Sequence, residues 1–162
     1  MMKKRWISLY VENNVGVLAK ISGMFAGKAY NLESLTVGAT EDKTMSRITI
    51  GVMSSDDIFE QIKKQLNRCI YVIKVIDLTE LEIHIKELMF IKILGSSKEE
   101  REEIFRIAKV FDLKIIDYNL EDIVIESINT DKRNNEIIEM MNQFKNIEVV
   151  RGGSVAIERV EH

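Results

Sequence analysis

At 162 residues the chain has the length of one ordinary domain or two small ones. Its 46% hydrophobic and 30% charged composition excludes a disordered polymer and describes a globular protein. The net charge of −3 argues against nucleic acid as a partner, because phosphate binding needs a basic surface and the one basic run, Lys3-Lys4-Arg5, is short.

Residues 6–11 alternate, with Ile7, Leu9 and Val11 on one side and Trp6, Ser8 and Tyr10 on the other, which predicts a strand. From Val17 the period becomes helical: Leu18, Ile21 and Phe25 recur on one face, and Val17 and Met24 widen it. Leu32 to Val37 reads as a second strand, Glu41-Asp42-Lys43 as a turn, and Ile48, Ile50 and Val52 as a third strand. Asp56 or Asp57 is placed to cap a helix carrying Ile58, Ile62 and Leu66, and Tyr71, Ile73 and Val75 alternate as a fourth strand.

The order β-α-β-β-α-β then repeats. Met89, Ile91 and Ile93 make a strand, and Ser97 with Glu100 fits a capping box for a helix bearing Ile104, Ala108 and Phe111. Ile115-Ile116 and Ile123-Val124-Ile125 are strands around a turn at 119–122. Ile137, Met141 and Phe144 mark a helix, Ile147 to Val150 a strand, and Val155 with Ile157 an alternating tail. This predicts an α+β protein of two ferredoxin-like βαββαβ domains, residues 1–78 and 87–162, joined by a linker at 79–86. Each domain should hold an antiparallel four-stranded sheet with both helices on one face, leaving the other face to a partner or to water. Proline is absent, so Gly, Asn, Asp and Ser must build the turns.

Enzymatic motifs are missing. Gly16 and Gly23 fit neither a P-loop nor a dinucleotide spacing. His84, placed in the linker, and the final residue His162 are the only histidines, so no two-histidine metal site is expected. The carboxylates are scattered among lysines, as on solvated helix faces. Cys69 is the single cysteine, which excludes an internal disulfide and a cysteine-cluster metal site; a buried, inert thiol at a strand start is expected. No signal peptide is expected, because Ser8, Glu12 and Asn13 break the apolar stretch after Arg5, and no window approaches the ~20 apolar residues of a membrane span. The expected location is the cytoplasm.

The segment from Glu12 to Leu18 differs from the rest. A strand gives way to a polar, glycine-containing loop that opens a helix, and a second strand is entered through Asn31. The amides at a helix start lack intrahelical partners and favour a carboxylate, while Asn13 offers both a donor and an acceptor. Such a site suits a small zwitterion with an apolar side chain and is poor chemistry for transforming one. A plain strand-to-helix turn also fits the Asn13–Gly16 residues, and Asn31 also fits a residue closing the helix in the left-handed conformation. Two asparagines on adjacent strand ends beside a glycine loop favour the binding reading.

The chain resembles the ACT-domain regulatory (small) subunits of acetolactate synthase, also called acetohydroxyacid synthase. The stretches that carry the resemblance are Glu12-Asn13 with Gly16-Val17-Leu18, the string from Tyr30 through Asn31-Leu32-Glu33-Ser34-Leu35-Thr36-Val37, then Ser46 to Ile50 and Glu60 to Leu66. In the second half they are Glu87-Leu88-Met89 with Ile91-Lys92, Ile115-Ile116-Asp117, and Val149-Val150-Arg151 with Gly153, a looser set.

The resemblance implies that the first domain is an ACT domain and that the chain is a non-catalytic partner of a large subunit carrying thiamine diphosphate, Mg²⁺ and FAD. It implies activation of that subunit and feedback inhibition by valine or another branched-chain amino acid. It also implies a homodimer in which Asn13, Gly16, Val17 and Leu18 of one chain and Asn31 and Leu32 of the other line the effector site. Two residues depart from the family pattern. Ala29 stands where a helix-ending glycine is usual, and Lys86 precedes Glu87 where arginine is frequent. The rival reading is a stand-alone ACT-type amino-acid sensor. An RNA-binding ferredoxin-like domain is disfavoured by the acidic balance and by only a thin aromatic set, Trp6 and Tyr10.

Overall fold

The computed structural model describes residues 1–161 and contains the element order that the sequence predicts. His162, one of the two histidines weighed above, lies outside the described residues. The strands are β1 (Lys3–Glu12), β2 (Asn31–Ala39), β3 (Met45–Ser54), β4 (Val72–Asp77), β5 (Ile83–Ile93), β6 (Lys114–Tyr118), β7 (Ile123–Asn129) and β8 (Ile147–Glu158). The helices are α1 (Val17–Gly27), α2 (Asp56–Arg68), α3 (Lys98–Val110) and α4 (Asp131–Met141). Two four-stranded sheets result, ordered β2-β3-β1-β4 and β6-β7-β5-β8.

The chain divides into two compact units: residues 1–84 with the segment from Ser154 onward, and residues 85–153. The stretch expected as linker is strand from Ile83, and His84 lies within β5. The tail expected as an appendage of the second half continues β8 without a break past Gly153 and belongs to the first unit. There Ser154 donates its amide to the Ser34 hydroxyl at 3.0 Å, and the Thr36 hydroxyl donates to the Ser154 carbonyl at 2.9 Å. The tail therefore buries Ser154 and Ala156, while Val155 and Ile157 face outward.

In the first unit, antiparallel pairing of β1 with β3 sets Ile7 opposite Ile50 and Leu9 opposite Ile48, cross-strand apolar pairs that fix the register. Against that face α1 packs Val17, Ile21 and Phe25, and α2 packs Phe59, Ile62 and Leu66. Two details differ from the sequence expectation. The cap of α2 is Ser55, whose hydroxyl accepts from the Ile58 amide, and Asp56 and Asp57 fill the first turn, where they favour the helix dipole. The larger Phe59 takes the core position expected of Ile58. In β4 the register slips between Tyr10 and Val11 of β1, so Val72 and Val75 meet the core and Ile73 is turned out, 55% exposed.

The second unit repeats the arrangement around Met89, Ile91, Ile93, Ile104, Ile123, Ile125, Ile137 and Met141. The capping box of α3 forms as predicted: the Ser97 hydroxyl accepts from the Glu100 amide and the Glu100 carboxylate accepts from the Ser97 amide. A buried polar cluster ties α4 to the sheet. The Glu87 carboxylate accepts from Arg151 Nε at 2.9 Å and Asn134 Nδ2 at 3.0 Å, and the Asn134 carbonyl accepts from the Ser127 hydroxyl at 2.7 Å.

Replacing Arg151 with Met leaves the buried Glu87 carboxylate without its countercharge, and should cost about 3 kcal/mol. Urea unfolding followed by circular dichroism checks this, and Glu87→Gln added to Arg151→Met should recover part of the loss. A second prediction concerns pH. Burial pushes the Asp77 carboxyl up, but hydrogen bonds from the Thr79 amide and the Lys63 ammonium outweigh it and leave the carboxyl below its ordinary value. A lowered folded-state value means that the stabilisation is complete above the unfolded value, near about pH 4, and is lost as pH falls through the folded one. In Asp77→Asn protein the urea midpoint should fall less steeply than wild type over that acid range.

Candidate functional site

Four residues, 13–16, carry the chain from β1 to α1. The Asn13 amide donates to the Thr44 carbonyl at 2.8 Å, fastening this loop to the turn between β2 and β3. The Asn13 side chain grips the same turn: Nδ2 donates to the Lys43 carbonyl and Oδ1 accepts from the Ser46 hydroxyl, both at 3.2 Å. One Nδ2 hydrogen and one Oδ1 lone pair remain, so the group is oriented yet still able to meet an acceptor and a donor. The turn is itself braced by Asp42, which accepts from the Thr44 hydroxyl at 2.7 Å and its amide at 2.9 Å. Those two bonds, the hydroxyl first, hold the Asp42 carboxyl below its ordinary value.

Gly16 is the N-cap of α1, at φ 86° and ψ −4°, and no side chain caps the helix. A Cβ at this position would meet nothing within 4 Å, so the sign of φ, not crowding, makes glycine suitable. The Val17 amide donates to the Asn14 carbonyl at 3.4 Å, and the Asn14 side chain turns to the Glu12 carboxylate at 2.9 Å. The first turn thus offers uncapped amides and the positive end of a helix dipole, the arrangement that suits a carboxylate.

Asn13 and Gly16 meet at this loop, with Leu18, 43% exposed, on the first turn beside them. Leu18 is therefore not part of the core stripe the sequence suggested. Val17 faces inward and is buried in the core, and Leu32 is half-buried against the same core. Val15, which spacing did not single out, is the fully exposed apolar tip of the loop. Ser46 was also missed as a positioning residue, although it stands in one of the stretches that carry the family resemblance.

The structure separates the two asparagines that the sequence set on adjacent strand ends. Asn13 follows Glu12, which pairs with Met45, whereas Asn31 pairs with Met53. At ~3.4 Å per residue along β3 these positions are about 27 Å apart, at opposite ends of the sheet. Nor does Asn31 close the helix: the left-handed residue is Ala29, at φ 53°, after which Tyr30 donates its amide to the Phe25 carbonyl at 3.1 Å. Asn31 is exposed at the start of β2. Cys69 is the half-buried C-cap of α2. Among the described residues no cluster of His, Cys, Asp or Glu could hold a metal ion, and no helix is long and apolar enough to cross a membrane.

Two βαββαβ units, the first opening with a glycine-started helix, define an α+β protein with an ACT domain. Residues 7–74 match the model of the AHAS small subunit-like ACT domain, and residues 86–160 match that of the small subunit of acetolactate synthase. The acetolactate synthase small subunit of Aquifex aeolicus is 39% identical over 158 residues, 98% of this chain and 82% of that protein. A probable small subunit from Archaeoglobus fulgidus is 38% identical, over 96% of this chain and 97% of its own. The crystal structure of the small subunit from Thermotoga maritima superposes with a TM-score of 0.86 at 31% identity, covering 99% of each chain. The chain belongs to the acetolactate synthase small-subunit family.

Ala29 carries a testable cost, since a residue with a Cβ is strained by about 1 kcal/mol in the left-handed region. Ala29→Gly should therefore stabilise the protein by at most about 0.6 kcal/mol, because the greater unfolded-state freedom of glycine offsets roughly 0.4–1 kcal/mol of the relieved strain. Thermal unfolding of the two proteins side by side is the measurement.

Proposed function

We propose that this chain is the regulatory subunit of acetolactate synthase, binding the catalytic large subunit, raising its activity and conveying feedback inhibition by valine or another branched-chain amino acid. The observation that carries this reading is the oriented Asn13 amide beside the uncapped first turn at Gly16. An amino-acid carboxylate fits the amide donors, its ammonium fits the spare lone pair of Asn13 Oδ1, and exposed Leu18 and Val15 supply apolar surface. In this reading the chain acts by binding. Thiamine diphosphate, Mg²⁺ and FAD would reside on the large subunit and supply the chemistry there.

The separation of the asparagines gives the site its assembly requirement. Asn13 and Asn31 can act on one ligand only if two copies of the chain bring opposite sheet ends together. In the homodimer we propose, Asn31 and Leu32 of one copy complete the site begun by Asn13, Gly16, the backbone at Val17 and Leu18 of the other; the Val17 side chain itself is turned into the core.

The test adds this chain to purified large subunit and measures acetolactate formation from pyruvate across a valine titration. Wild-type chain should activate and impose inhibition, and should make no acetolactate when alone. Asn13→Ala should weaken effector binding by about 1–3 kcal/mol, roughly 5- to 150-fold, with activation retained. Ser46→Ala removes only a bond that orients Asn13 and should cost less. Mixed dimers of Asn13→Ala with Asn31→Ala chains should contain one intact and one doubly damaged site. Calorimetry that finds two equally weakened sites would overturn the cross-dimer assignment, and failure to bind the large subunit would favour a stand-alone sensor.

A further inference from the structure

The helix face of the first unit holds a groove that the effector reading does not use. It lies between α1 and α2, is an open groove of about 250 Å³, and is floored by Ile21, Met24 and Leu66. Lys20 and Arg68 line it, with Cys69 and Gln65 at the end of α2. Neither cation is neutralised by a carboxylate among the described residues: Lys20 donates to the Tyr71 hydroxyl at 2.9 Å and lies 4.1 Å from the ring centre, and Arg68 has no ion pair. No carboxylate lines the groove. It therefore has two positive charges over an apolar floor and no acidic acceptor for an ammonium group.

From this juxtaposition we infer that the α1–α2 groove is a binding site for a short apolar monocarboxylate, distinct from the zwitterion site at Asn13. The charge pattern selects a net anion. An amino acid of the same shape brings an ammonium that meets Lys20 and Arg68 with like charge, and an amine brings only the unfavourable half. The apolar floor matches a small acid: at about 30 Å³ per water-sized group the open groove covers roughly eight non-hydrogen atoms. The carboxylate sits between Lys20 and Arg68, and the branched end lies on Ile21, Met24 and Leu66. Such an anion competes with the Tyr71 hydroxyl for Lys20.

Cys69 makes the site readable, because it is the only cysteine of the chain and lines the groove. The full chain is alkylated with iodoacetamide, a neutral reagent, in the presence of 3-methylbutanoate, valine or isoamylamine, which share a branched apolar body and differ in charge. With 3-methylbutanoate at three times its Kd the free fraction falls to about a quarter, so labelling should slow roughly fourfold and saturably. Valine and isoamylamine at the same concentration should leave the rate unchanged. Lys20→Met and Arg68→Met should each abolish the protection. No slowing, equal slowing by all three compounds, or slowing that survives both substitutions would overturn the proposal. Saturation-transfer NMR on the unsubstituted chain gives a second reading: transfer to the methyl groups of 3-methylbutanoate but not of isoamylamine supports it, and its absence counts against it.

Discussion

The first unit must turn from its central strand into a helix within four residues, and the left-handed backbone at Gly16 allows it. That one constraint fixes the rest of the site. A glycine N-cap has no side-chain oxygen, so the amides that follow Val17, whose own amide meets the Asn14 carbonyl, remain available. The second unit makes the same strand-to-helix turn and resolves it the other way. There the N-cap is Ser97, its box with Glu100 is closed, the Gly95 amide donates to the Asp122 carboxylate at 3.1 Å and the Ser96 amide to the Glu121 carbonyl at 2.8 Å. One repeat thus keeps an open anion-seeking helix start, and the other satisfies it internally.

The apparatus around Gly16 is rigid where a binding site needs rigidity. Asn13 is held by three hydrogen bonds to the β2–β3 turn and the start of β3, one through its backbone and two through its side chain. The turn is held in turn by Asp42, whose carboxyl is kept below its ordinary value by the two hydrogen bonds Thr44 donates to it. A pre-oriented amide loses little freedom on meeting a ligand, which leaves more of the contact energy for affinity. The preformed part nevertheless ends at Gly16 and Leu18. Asn31 is a sheet length away, so in the homodimer we propose it could reach this loop only from the other copy.

Periodicity was enough for the helices and strands because apolar spacing registers which face is buried: Ile7, Leu9 and Val11, or Ile48, Ile50 and Val52, alternate and are all in the core. It was not enough where a bulge breaks the period. Ile73 alternates with Tyr71 and Val75 in sequence but is turned outward by the slip in β4, and Ile116 is turned outward in the same way in β6. Ser55 was hidden as a cap by the two aspartates that follow it. The wider error concerned Asn13 and Asn31. Strand order was not legible, yet β1 and β2 both pair antiparallel with β3 and therefore run parallel to each other. The start of β2 must then lie at the same end of the sheet as the start of β1, not at the end where Asn13 sits. Past Gly153 the alternation of Val155 and Ile157 was legible but pointed to the wrong face, because the buried residues there are the small Ser154 and Ala156, whose apolar signal is weak.

Tyr71 lies between the effector loop and the proposed anion groove. Its carbonyl accepts the Glu12 amide at 3.0 Å, one residue before Asn13, and its hydroxyl accepts from Lys20 at 2.9 Å. Lys20 in turn gives its amide to the Gly16 carbonyl at 3.0 Å. An anion that draws the Lys20 ammonium away from Tyr71 therefore breaks the side-chain link between Tyr71, which meets the chain just before the loop at Glu12, and Lys20, which meets its end at Gly16. Any change this makes in the affinity of the loop for an amino acid must be matched by an equal change in the affinity of the groove for its anion once the loop is filled. A ligand that left the Lys20–Tyr71 contact undisturbed would have no such lever, since occupancy without a differential interaction shifts nothing. The coupling thus depends on competition for one ammonium group.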